Sequence, residues 1–188
     1  MKKKLFNVLS GTTPLSDFEQ WLYQDEEVQS SILTDETIME LVSIDFSGRH
    51  ALHELEVYCL KVYDQEEFYV HVIEQNVKAI VDSDDKHEVV RCCQHVSDHF
   101  HWMDNKNLYH MFYRLFDDYS YSIKYAENFA KNEIIEEMKA LAADIVEKFK
   151  LADLAEKKRL VDCGLERGVF APQFKNSSMR KRWYQFWK

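Results

Sequence analysis

Apolar residues recur along most of this chain at spacings of three and four, the period of one face of an α-helix. Phe18, Trp21 and Leu22 share such a face. They follow Ser16-Asp17-Phe18-Glu19, which has the form of a capping box: the Ser16 hydroxyl accepts from the Glu19 amide and the Glu19 side chain reaches back. Acidic Asp25-Glu26-Glu27 closes this segment, and Val28, Ile32 and Leu33 lead to a second start. There Thr34 is placed to cap, with Asp35 and Glu36 in the first turn ahead of Ile38, Leu41 and Val42. Leu52, Leu55, Cys59 and Val62 follow i, i+3, i+7, i+10. Tyr69, Val72, Ile73, Val77, Ile80 and Val81 keep that period, although the run from Phe68 to Ile73 is also a good strand former. Asp85 and Glu88 offer another N-terminal box ahead of Val89, Cys92, Cys93, Val96, Phe100 and Met103. Asn105 or Asn107 is placed to cap Leu108, Met111, Phe112, Leu115, Phe116 and Tyr119. The longest stripe joins Ile123, Ala126, Ala130, Ile134, Met138, Leu141, Ile145 and Phe149, and a last helix carries Leu154, Val161 and Leu165, ending at Gly164 or Gly168.

Two scarce residues strengthen this reading. Glycine occurs only at Gly11, Gly48, Gly164 and Gly168, proline only at Pro14 and Pro172, and from Arg49 to Cys163 there is neither. Average usage would put the pair at roughly 12% of such a stretch. Sheets need these residues for tight turns and positive φ angles, whereas helices joined by short polar loops do not. The expectation is an all-α fold: one compact, bundle-like domain of about seven to eight helices over residues 1–174, with a basic aromatic tail at 175–188. The 46% apolar content supplies its core.

Met1-Lys2-Lys3-Lys4 resembles the start of a signal peptide, but Leu5-Phe6-Asn7-Val8-Leu9 is shorter than the roughly 7–15 residues of a signal core. No apolar run approaches the ~18 residues of a membrane span. Cys59, Cys92, Cys93 and Cys163 include no C-x-x-C pair and read as reduced thiols. Together these predict a soluble, cytoplasmic protein. The formal net charge is −9, and residues 175–188 hold Lys175, Arg180, Lys181, Arg182 and Lys188 with no acid, so the body is more acidic than the whole. Such a body disfavours nucleic acid and anionic membranes and favours cationic partners.

Candidate chemistry concentrates on one helix. Cys92, His95 and His99 stand at i, i+3, i+7 with Glu88 one turn earlier, a ligand set of the kind that holds zinc or copper. One helix rarely closes a tetrahedral site, however, and neither H-E-x-x-H nor Glu-x-x-His occurs. The competing reading has Cys92 in the core stripe, bordered by the two histidines. There is no G-x-S-x-G elbow, phosphate loop or G-x-G-x-x-G, so no catalytic residue and no cofactor is assigned.

The tail runs Arg180-Lys181-Arg182-Trp183-Tyr184-Gln185-Phe186-Trp187-Lys188. Cationic residues interleaved with aromatics stack bases, sit at a membrane interface, or fold back on an acidic body. Three acidic clusters, Asp25-Glu26-Glu27, Asp64 with Glu66 and Glu67, and Asp82 with Asp84 and Asp85, fall at expected helix ends and are the candidate partner-binding residues. The bland alternative is a solvated face that keeps the protein soluble.

Leu9-Ser10-Gly11, then Leu15-Ser16-Asp17-Phe18-Glu19-Gln20-Trp21-Leu22-Tyr23, then Ile38-Met39-Glu40-Leu41-Val42-Ser43-Ile44-Asp45-Phe46 form a recognisable series. Over about residues 9–63 it resembles the opening of small acidic bacterial proteins encoded beside polymorphic toxins and regarded as their immunity proteins. The resemblance implies a non-catalytic inhibitor that neutralises a cognate toxin by binding it, and the acidic charge suits covering the cationic cleft of a basic toxin. Two other functions stay open on the residues alone. One is a metal-dependent or cysteine enzyme built on residues 88–101; the other is a nucleic-acid or membrane adaptor acting through the tail.

Overall fold

The computed structural model describes residues 1–99, 107–124 and 128–165, the side chains of 128–130 excepted. The tail at 175–188 and the expected cap Asn105 lie outside these residues, as do Phe100, Met103 and Gly168. The described residues are all-α, as the apolar period predicts. They form ten helices: α1 (Lys2–Leu9), α2 (Leu15–Gln24), α3 (Glu26–Ser31), α4 (Glu36–Val42), α5 (Ala51–Val62), α6 (Gln65–Asp82), α7 (Lys86–Asp98), α8 (Asn107–Lys124), α9 (Asn128–Leu151) and α10 (Leu154–Cys163). The two beyond the expected eight are α1, whose Leu5, Phe6, Val8 and Leu9 are core residues, and the short α3.

Helices α6 to α9 close a ring, each packed on the next and α9 returning to α6. Helix α10 lies against α6 and α8, and α1 ties the bundle to an N-terminal layer by touching α2, α5 and α6. At the centre is α6, with Phe68, Tyr69, Val70, Val72, Ile73, Val77 and Ile80 all buried. A helix apolar on nearly every side is one enclosed by others. That enclosure decides the ambiguous run at 68–73, because burial of every residue in it but His71 outweighs a β-propensity worth about 1 kcal/mol. Asn76 is the buried polar exception; its amide donates to Val72 O at 2.9 Å and Ser10 O at 3.3 Å, joining α6 to the end of α1.

Aspartate starts half of the helices. Asp25, Asp35, Asp64, Asp85 and Asp153 each accept a hydrogen bond from a first-turn backbone N–H of the helix that follows. Asp35 therefore does the work expected of Thr34. The box at Ser16 is not formed: α2 begins two residues earlier, behind Pro14, and the Ser16 hydroxyl lies 3.4 Å from Asp17 Oδ1. Proline sets the entry angle with its fixed φ and brings no N–H needing a partner. The stripe of α5 is also rotated: Ala51, Leu55, Tyr58 and Cys59 are buried, while Leu52 points outward. The longest stripe is divided, with Ile123 exposed on α8 and Ile134, Met138, Leu141, Ile145 and Phe149 buried along α9.

Two glycines do conformational work. Gly164 (φ +72°) ends α10, and a Cβ there would lie 3.1 Å from Asn107 Cβ, where the Asn107 amide donates to Cys163 O. Gly11 (φ +71°) turns the chain from α1 into α2 beneath α7. A Cβ on Gly11 would stand 2.5 Å from His95 Nε2.

Candidate binding surface

That contact locates the first of the histidines. The His95 ring lies over the Gly11 backbone and 5.5 Å from the His99 ring, tilted 36°. His99 Nδ1 lies 2.9 Å from Glu56 Oε1 on α5, and its ring meets Phe68 edge-on at 5.5 Å. Each imidazole thus knits α7 to another element: the α1–α2 turn, α5 or α6. Burial, and to a lesser degree the neighbouring His99 and Arg91 charges, lower the His95 pKa to about 4, so its ring is neutral at pH 7. Cys92 is enclosed, its thiol 3.5 Å from Glu88 Oε1, and Glu88 is itself held by Arg91 at 2.6 Å. Burial raises the Cys92 pKa to about 11 and that of Cys59 to about 12, and pushes Cys93 higher still. Such thiols stay protonated and are weak nucleophiles. Among the described residues no three His, Cys, Asp or Glu side chains converge to hold a metal ion.

The acidic clusters have unequal environments. Asp64 caps α6 and lies 2.7 Å from Lys158 Nζ, which also stands 3.6 Å from Glu66; Glu67 pairs with Lys2. The Lys158 hydrogen bond, with the backbone amides of Glu67 and Glu66, holds the Asp64 carboxyl below its ordinary value. This cluster fastens α10 and α1 to the start of α6. The cluster at 82–85 sits at the other end of α6, and 18 residues at 1.5 Å each put the two about 27 Å apart. Of its members Asp85 caps α7, while Asp82 and Asp84 are exposed.

Asp25-Glu26-Glu27 belongs to a larger acidic region. From Leu5 to Gly48 there is no lysine, arginine or histidine, against nine acids: Asp17, Glu19, Asp25, Glu26, Glu27, Asp35, Glu36, Glu40 and Asp45. Glu40 bonds Lys61 of α5 at 2.7 Å, but among the described residues Glu26, Glu27 and Glu36 have no ion pair. Hydrogen bonds from Thr37 and from Ser47 keep Asp35 and Asp45 ionised by lowering their pKa values. Exposed apolar groups stand among these charges: Leu33 is 94% exposed, Met39 51% and Tyr23 48%. The Tyr23 hydroxyl lies 3.4 Å from Val42 O, which brings α2 and α4 together. Helix α2 rests on α1 and α3, and α4 on α5, so the outer side of this layer faces solvent. The clue missed in the sequence was a long stretch without a single base, which no helical periodicity reveals.

An open groove of about 380 Å³ lies between the end of α9 and α10, lined on its apolar side by Leu151, Ala152 and Leu160. Arg159 at its rim is already engaged with Glu156 at 2.6 Å. The groove's other charged lining residue, Lys148, stands 4.0 Å from Asp144, so the charges here are matched to one another.

Fold and surface together define an all-helical protein whose N-terminal layer is acidic and studded with exposed apolar side chains. Among the described residues no helix is long and apolar enough to cross a membrane. Comparison with protein-family models, curated proteins and solved structures finds no match to this chain.

Proposed function

We propose that this protein is a non-catalytic inhibitor that binds a cognate basic protein, a bacterial toxin, through the α2–α4 layer. One observation carries the reading: the stretch of chain that exposes Tyr23, Leu33 and Met39 contributes nine acids and no base of its own. Interfaces join a few apolar and aromatic anchors to a polar rim, and complementary charge on that rim accelerates encounter. The resemblance to immunity proteins falls on this same part of the chain. Asp25, Glu26 and Glu27 are the acids of the original candidate set that lie in the layer. Asp64, Glu66 and Glu67 hold helices together, and Asp82, Asp84 and Asp85 lie at the far end of α6 from them.

The experiment is affinity capture from an extract of the source organism, followed by binding measurements with the captured protein. The expected result is a stoichiometric basic protein whose association with the Glu26→Gln/Glu27→Gln variant is several-fold slower at low salt, with the difference shrinking at high salt. If nothing is captured in stoichiometric amount, or if association with the captured protein ignores both salt and these substitutions, the proposal is wrong.

A further inference from the structure

The α2–α4 layer leaves Glu26, Glu27, Leu33, Glu36 and Met39 exposed, and the chemistry of a suitable cover is written in the same chain. Residues 179–188 place Arg180, Lys181, Arg182 and Lys188 around Trp183, Tyr184, Phe186 and Trp187, with no acid. Its composition complements that of the layer: cations against carboxylates, and aromatic residues against the exposed Leu33 and Met39. Reach is no obstacle. The described chain stops at Leu165, and thirteen residues separate it from Met179, enough to span about 43 Å when extended. A compact body of this size is roughly 40 Å across.

We propose that residues 179–188 bind the α2–α4 face of their own chain, covering it until a partner displaces them. The contact would bring the guanidinium groups to Glu26, Glu27 and Glu36 and set the indoles against Leu33 and Met39. An intramolecular segment acts at an effective concentration in the millimolar range, so a contact of modest intrinsic strength covers the face most of the time. As a brake on partner binding this rests on the function proposed above. As a contact it is tested on the isolated protein, so its failure is distinct from failure of that reading.

The test uses the full chain labelled with ¹³C at Met and Leu methyl groups. Spectra of the wild type are compared with Arg180→Glu/Lys181→Glu/Arg182→Glu and with Trp183→Ala/Trp187→Ala, after circular dichroism has shown that all three melt alike. The expected result is that the Met39 and Leu33 methyl signals shift in both variants while core signals such as Leu141 do not. In the wild type, raising salt from about 0.05 to about 0.5 M, which shortens the screening length roughly threefold, should move the same two signals toward the variant positions. Superimposable Met39 and Leu33 signals in wild type and variants would overturn the proposal. A shift that grows with protein concentration would overturn it as well, by making the occupant a second copy.

Discussion

Replacing Gly11 by alanine tests the closest approach in the fold. Two costs add. Gly11 has φ +71°, and holding an L-residue in that left-handed region costs roughly 1–2 kcal/mol. The new methyl would also lie 2.5 Å from Nε2 and 2.6 Å from Cδ2 of His95, about 1 Å inside the contact distance at which dispersion turns to repulsion. The His95 ring is not free to swing away, because His99 lies against it, fixed in turn by Glu56 and Phe68. Overpacking of this kind adds roughly 1–3 kcal/mol. Together the substitution costs about 3 kcal/mol, which for a chain of this length lowers Tm by roughly 6–12 °C. Urea denaturation followed by circular dichroism on wild type, Gly11→Ala, His95→Ala and the double variant separates the two costs. With His95 truncated, Gly11→Ala should retain only its backbone cost, so the two changes should couple by roughly 1–3 kcal/mol. Additive effects would show that His95 does not pack on Gly11, and the structural role given to this histidine would fall.

Titration offers a second view of the same ring. The folded pKa of His95, about 4, is depressed from 6.5, so its contribution to stability is complete above pH 6.5 and disappears as pH falls through about 4. A shift of this size corresponds to roughly 3 kcal/mol, so unfolding free energy should fall more steeply from pH 6.5 to 4 in wild type than in His95→Gln. Asp118 behaves oppositely. Burial, with a smaller contribution from the Asp117 charge, raises its pKa to about 6, so the stability it allows is present below about pH 3.8 and lost as pH rises through 6. Asp118→Asn should therefore raise Tm at pH 7 and change it little at pH 4. Asp85→Ala removes the cap of α7 and should cost about 1 kcal/mol in thermal melts, while Asp84→Ala next to it should cost under ~0.5 kcal/mol. Tyr109→Phe deletes the 2.8 Å bond from the buried hydroxyl to Tyr69 O and should cost about 1 kcal/mol at constant m-value.

What the sequence by itself determined is the class of structure. A chain with no glycine or proline between Arg49 and Cys163, and apolar residues at three- and four-residue spacing, has no economical route to a sheet. The stripe of α7 from Val89 to Val96 and that of α9 from Ile134 to Phe149 followed directly, since the periodic residues there are buried. Local rules failed where a neighbour in space made the choice. Pro14 and Asp35 took over helix starts that Ser16 and Thr34 were suited to, because a cap depends on the backbone angle at entry as well as on the hydroxyl. Leu52 turned outward and Ala51 inward because α1 and α4 cover only part of α5.

The candidate sites divide along the same line. Spacing placed Cys92, His95 and His99 on one side of a helix, but only tertiary packing decided that those groups would be spent on Glu88, Gly11 and Glu56. Likewise Asp64, Glu66 and Glu67 read as free negative charge until α10 brought Lys158 against the first two and α1 brought Lys2 against the third. The layer at 15–48 was acidic in sequence; that it also exposes Tyr23, Leu33 and Met39 is a consequence of the fold. Which side of an amphipathic helix meets water depends on what the rest of the chain sets beside it, and that is a property of distances rather than of order along the chain.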